Sequence, residues 1–387
     1  MYILPLYENT GRIVNLEMSK AAPEISVLIS YYNDRAFLRQ SIQAVLSQTF
    51  TDFELILINH ATQDDCREIA RSFDDPRIVH VDLEFNNGAG GGFIFETLIG
   101  KARGKYIKLF CADDVMKSDC LEKLHSYLAS NHDKDIVFGD ARLVDKNGSP
   151  KKLLWSERFA DFSFEDDNLS LLKKFFDKKS FLPLPACLFK RTAADGLKID
   201  KSLIIEFDQS LWIQMMMRGA NFGFTRDVVC DYRVHKLQSS TVRVDNRVDE
   251  YDFYESIMRA KLFYGIKDIV QLERLLGGYE KKFALSEKDV DFFPFATACY
   301  YLEKHENLSC KIAGYEYLHD CMEDPTARQK IKERFNFTVA DFRLLYKNSR
   351  AFNPSMYLEY IGIKGGIAMI LKKLYEKLFG QPYAKIL

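Results

Sequence analysis

The chain has 387 residues, 47% hydrophobic and 28% charged, which is long enough to bury the cores of two domains. With 54 Lys plus Arg against 55 Asp plus Glu, no charge imbalance points to a nucleic acid or another polyionic partner. Eight cysteines without a C-x-x-C pair argue against a disulfide scaffold or a zinc knuckle and leave reduced, mostly buried thiols.

Residues 1–22 read as an irregular arm: Tyr2–Leu6 is too short for a secretory leader, contains Pro5 and runs on to Glu8. No apolar run reaches the roughly eighteen residues needed to cross a bilayer, so a cytoplasmic protein is expected. From Pro23 the pattern becomes regular. Ile25–Ile29 has the character of a buried strand broken at Ser30-Tyr31-Tyr32-Asn33-Asp34, and Phe37, Leu38, Ile42, Val45 and Leu46 then recur at helical spacing. Phe53–Ile58, Asp64–Ser72 and Ile78–Val81 read as strand, helix and strand. This alternation forces right-handed crossovers and a parallel sheet. The run from Asn86-Asn87-Gly88 to Gly92 is a glycine-rich turn into a helix over about 93–101, either a loop able to approach a phosphate closely or a plain linker.

Tyr106–Cys111 is an apolar strand that runs straight into Asp113 and Asp114. Adjacent carboxylates raise each other's pKa unless a cation or solvent compensates. Strand ends in α/β sheets are also where ligands bind, so a divalent metal holding a diphosphate suits this position. The alternative is a solvated loop whose acid caps the helix starting near Ser118. Leu121–Ser130 is amphipathic and Ile136–Gly139 is a strand followed by Asp140. Lys146-Asn147-Gly148 marks a hairpin between Ala141–Val144 and Lys152–Trp155, an antiparallel flank to the sheet.

Residues 159–180 read as a helix with a loop. Pro183 and Pro185 favour an extended backbone, either a rigid pocket wall or an edge strand, ending at Arg191, a phosphate contact or a solvated charge. Glu206-Phe207-Asp208 precedes a helix over Gln209–Arg218, where an acid is favoured by exposed N–H groups and the helix dipole. From about Val242 the chain becomes helix-rich. Gly365–Phe379 ends it as a short basic amphipathic helix, suited to packing on protein or to lying on an anionic membrane surface.

In order, ISVLISYYN, LSQTF, FELILINHATQDD, the Asn-Gly turn, ARGKYIKLFCADD, EFDQSLW and YRVH resemble the inverting glycosyltransferases of family 2 over residues 24–242. The resemblance implies an α/β chain with a GT-A domain over 23–242, a Rossmann-like mixed sheet that binds a nucleotide-diphospho-sugar, and a helical domain or extension over 243–387. It implies a hexosyltransferase-type, inverting enzyme of cell-surface polysaccharide biosynthesis. The donor favoured is a UDP-sugar, the acceptor a glycan or lipid-linked glycan, and the cofactor Mn2+ or Mg2+. A homodimer and a peripheral position on the cytoplasmic face of the inner membrane, through 365–379, complete the expected partners.

Carried over by position, the resemblance implies that Ser30, Tyr31, Tyr32 and Asn33 cup the base, mainly through backbone groups. His60, where the family has acids after the second strand, accepts a hydrogen bond from the base; Asn87, Gly88, Arg191 and Arg233 serve the donor. Asp113 and Asp114 serve ribose and metal in an order left open, and His235 serves metal or diphosphate. Asp208 is the general base. Three departures, Cys111 for the first acid of D-x-D-D, Asn59-His60 for the usual acids, and Phe207 for a Glu, keep a second reading in view. That reading is a non-catalytic GT-A-fold protein that binds nucleotide sugar or scaffolds polysaccharide assembly. Retention of Asp113, Asp114, Asp208 and His235 favours the enzyme.

Overall fold

The computed structural model describes residues 21–84, 86, 95, 99–159, 162–177, 182–200, 203, 206–235 and 249–349. Nearly all of the 1–22 arm, the Asn87-Gly88 turn, most of the helix expected over 93–101 and the 365–379 helix lie outside these residues. Among the described residues nine strands form one mixed sheet: β1 Ile25–Tyr31, β2 Phe53–Asn59, β3 Ile78–Asp82, β4 Tyr106–Cys111, β5 Val115–Met116, β6 Ile136–Val144, β7 Pro150–Leu154, β8 Cys187–Lys190 and β9 Phe222–Arg233. Their order is β3-β2-β1-β4-β8-β6-β9-β5, with β7 paired to β6.

β1 to β4 are mutually parallel, as their near-continuous apolar runs require; β2 is buried at every position. Helices α1 Leu38–Leu46, α2 Cys66–Arg71 and α3 Cys120–Ser130 cover one face, where Leu38, Ile42, Val45, Leu121, Leu124 and Leu128 join the core with Val27, Leu55 and Phe110. Each such side chain contributes about 1.5–3 kcal/mol on burial. β6 and β9 run parallel to each other, while β8 is antiparallel to both β4 and β6. The C-terminal ends of β1, β2, β4, β6 and β9 therefore meet at one edge.

Several boundaries differ from the sequence expectation. β1 continues through Ser30 and Tyr31, because each still pairs with β2 and Ser30 also pairs with Cys111. β6 is one strand rather than two: the Asp140 carboxylate accepts the Ala141 N–H and the Ser156 N–H and O–H, so this acid is satisfied inside the sheet, at a bulge. The expected hairpin is present, with Gly148 at φ +86° in its turn. Strand β8 is internal, not an edge, and Pro185 sits in a 3-10 turn, Leu184–Ala186, rather than in extended chain. The fully buried Lys108 donates its ammonium to the Pro185 carbonyl and holds that turn against β4.

Two compact units divide at Val242/Arg243, with Leu169–Lys179 grouped with the second. Helix α4, Asn168–Asp177, thus contributes to the helical unit although the sequence places it in the middle of the sheet domain. Phe176 packs on Phe263 and Tyr301, and Arg259 donates to the Phe175 carbonyl. The rest of the unit is helical, from Asp249–Leu262 to Val339–Ser349, with Asp268, Asn307 and Asp324 capping helix starts. Among the described residues no helix is long and apolar enough to cross a membrane.

Candidate active site

The end of β4 delivers Cys111, Asp113 and Asp114 to the edge where the parallel strands converge. One ligand atom from each, a thiol and two carboxylate oxygens, lies within 4.8 Å of the others. Asp114 is 2% exposed, and its Oδ1 accepts the Arg233 N–H at 2.8 Å. Burial, with the Asp113 charge beside it, pushes the Asp114 carboxyl well above the usual carboxylate range. Burial also pushes the Cys111 thiol up, and Asp114, Asp113 and Asp208 add to the effect. His235, two residues past β9, meets the Asp113 Oδ2 through Nε2 at 2.9 Å and packs against Phe37 at 4.6 Å between centroids, the ring planes tilted by 48°. Its Nδ1 is buried without a hydrogen-bond partner.

A carboxyl pair under mutual repulsion, with a buried imidazole held against one of its members, fits a divalent cation, which would stabilise both charges. Asp113, Asp114 and His235 converge as the sequence expects. Asp208 joins them by charge, being close enough to raise the Cys111 thiol and the Tyr232 phenol. It stands within the first turn of α5, Phe207–Met217, which begins two residues earlier than expected, and its Oδ1 accepts the Gln209 N–H at 2.7 Å.

Arg233 has a different part from the one expected. It is 2% exposed, its Nε donates to the Asp113 carbonyl, Nη1 to the Lys146 carbonyl and Nη2 to Gln40 Oε1, and the guanidinium lies over the Phe37 ring. With its donors committed it positions the two acids rather than gripping a donor. Arg191 is not brought to the site at all. Its Nε donates to Gly104 O and its N–H to Lys105 O, at the N-terminal end of β4, a strand's length from Asp113.

The loops after β1 and β2 are locked together. Asn33, at φ +57°, donates its N–H to Thr62 Oγ1 and accepts the Gln63 N–H; Ala61 is also left-handed, at φ +53°. Tyr32 is exposed and meets the buried His60 edge-on at 6.3 Å, whereas the Tyr31 ring is in the core and only its carbonyl, bonded to His60 N–H, faces this loop. Ser30 is held in the sheet between Ile58 and Cys111. Asn59 spends its amide on Asp82 Oδ1 and on the Thr62 N–H, and Asp82 is held by Arg67 and Arg71.

Asp34 escaped the sequence reading, since a lone acid after a strand looks like an ordinary turn residue. Burial pushes its carboxyl up to about 6, with Asp113 and Asp64 adding and the Tyr32 N–H opposing. A raised acid pKa means stability that is complete below the unfolded value, about 4, and is lost as pH rises through about 6. Asp34→Asn is therefore expected to raise thermal stability at pH 7.5 by on the order of 1–2 kcal/mol after screening, with the gain shrinking as pH falls from about 6 toward 4. A melting series across that range checks it; a gain that does not change with pH would contradict it.

The profile of Glycosyl transferase family 2 matches residues 26–197. An uncharacterised glycosyltransferase of Methanocaldococcus jannaschii is 28% identical over 242 residues, 62% of this chain and 79% of that one. Another, from Rickettsia prowazekii, is 27% identical over 233 residues, covering 60% and 70%. Among solved structures, residues 1–349 of S. aureus TarS in complex with UDP-GlcNAc superpose with a TM-score of 0.56 at 15% identity, over 88% of this chain and 90% of that one.

Proposed function

We propose, since the chain is a family 2 glycosyltransferase of GT-A fold, that it transfers a sugar from a nucleotide-diphospho-sugar to a glycan or lipid-linked glycan acceptor with inversion, in cell-surface polysaccharide assembly. The observation that carries this reading is the meeting of Asp113, Asp114 and His235 at the C-terminal edge of the sheet, where α/β folds bind ligands, with the Asp208 charge acting on Cys111 beside them. TarS, on the same fold, is in complex with UDP-GlcNAc, which supports a UDP-sugar as donor.

Asp208 takes the proton from the acceptor hydroxyl as that oxygen attacks the anomeric carbon, and the bond from carbon to the diphosphate oxygen breaks on the opposite face, its electron pair leaving with the diphosphate. Asp113, Asp114 and His235 would hold a divalent cation, which supplies charge neutralisation for the leaving diphosphate. Arg233 keeps both acids in place through the Asp113 carbonyl and the Asp114 carboxylate. The Tyr32 ring and the Asn33–Thr62 lock form the lip against which the base rests.

Thermal-shift screening of nucleotide-sugars with and without Mn2+ tests this. A true donor at a hundredfold excess over its Kd stabilises the folded chain by about 2.7 kcal/mol. A set in which no nucleotide-sugar raises the melting temperature overturns the reading.

A further inference from the structure

Resting on the cation site just described, we infer that Cys111 makes that site thiophilic, so that it takes a zinc-class ion, with Co2+ as its spectroscopic stand-in, in preference to Mg2+. The Cys111 sulfur belongs to the same cluster as the Asp113 and Asp114 carboxylate oxygens, all within 4.8 Å. Its backbone is fixed on both sides. Ser30 pairs with it across the sheet, and Ser41 Oγ donates to its carbonyl at 3.1 Å, so the residue stays beside the acids. The second observation is His235, whose side chain is 6% exposed, touches Asp113, and buries Nδ1 without a partner.

The donor set is therefore two carboxylates and one thiol, with the His235 imidazole held against Asp113 beside it. Mg2+ demands near-octahedral oxygen ligands and gains nothing from sulfur, so one position of the cluster is lost to it. Zinc and cobalt accept a mixed sulfur, nitrogen and oxygen shell of low coordination number, and a protein shell short of saturation leaves room for an oxygen of the diphosphate. The missing C-x-x-C pair excludes a zinc knuckle and says nothing of a single thiol placed beside two acids by the end of a strand.

The test titrates the purified full chain, reduced, with Co2+ and follows sulfur-to-cobalt charge transfer in the near ultraviolet, with Mg2+ as competitor. The band is expected in the parent and absent in Cys111→Ser and Cys111→Asp. Cys111→Asp should shift preference from Co2+ toward Mg2+ by at least roughly tenfold, the low end of what altering a group that merely supports a ligand does to metal affinity. Cys111→Ser, close in size to the parent, carries the comparison if the Asp variant folds poorly. Co2+ that binds without the band, or a band that persists in Cys111→Ser, overturns the inference and leaves the cation site standing. Failure of every cation to bind both the parent and Cys111→Asp removes the cation site itself, and the inference with it.

Discussion

Asp208→Asn should lower turnover by on the order of 10² to 10⁴, the contribution of a positioned general base, while nucleotide-sugar affinity stays close to that of the parent. The substitution separates chemistry from architecture. Asp208 Oδ1 accepts the Gln209 N–H at the start of α5, and an Asn oxygen keeps that bond while losing basicity. Steady-state rates, donor binding by calorimetry and the anomeric configuration of the parent's product by NMR together decide the matter. Near-normal turnover would move the base to another acid, and Glu206, 1% exposed, is poorly placed to receive an acceptor. A product with the donor's anomeric configuration would reject single displacement.

The second large effect is expected from replacing both Asp113 and Asp114 by Asn. Metal-dependent donor binding should fall by at least about a hundredfold, because the charges that hold the cation are gone. The melting temperature without metal should stay unchanged or rise. In Asp114→Asn the amide oxygen still accepts the Arg233 N–H, in Asp113→Asn the amide is still a polar partner for His235, and a buried carboxyl pushed up by burial and by its neighbour is replaced by a neutral group. Undiminished Mn2+-dependent affinity in the double variant would sink the assignment.

The alternation of apolar runs and amphipathic stretches was sufficient to locate β1 to β4 with their first two helices, and the acids at the end of β4 followed from the same pattern. Side-chain periodicity is a local property, and a strand buried on both faces announces itself by composition alone. The likeness of YRVH and EFDQSLW to a family pattern likewise pointed to His235 and Asp208.

What each polar side chain does was decided only in three dimensions. Arg233 and Arg191 look alike in sequence, each a cation closing a strand, yet β9 runs parallel to β6 and ends at the acids, whereas β8 runs antiparallel and ends beside Gly104. The insertion of β8 between β4 and β6 also makes an internal strand of a stretch whose prolines suggest an edge. Asn59 and Asp34 show the same limit, since the partner of one is Asp82 and the carboxyl of the other is raised by burial in the fold. Strand order and direction are set by pairings between residues far apart in the chain, and the field at a carboxylate is set by whichever charges those pairings bring near. Neither quantity is written in the spacing of neighbouring residues.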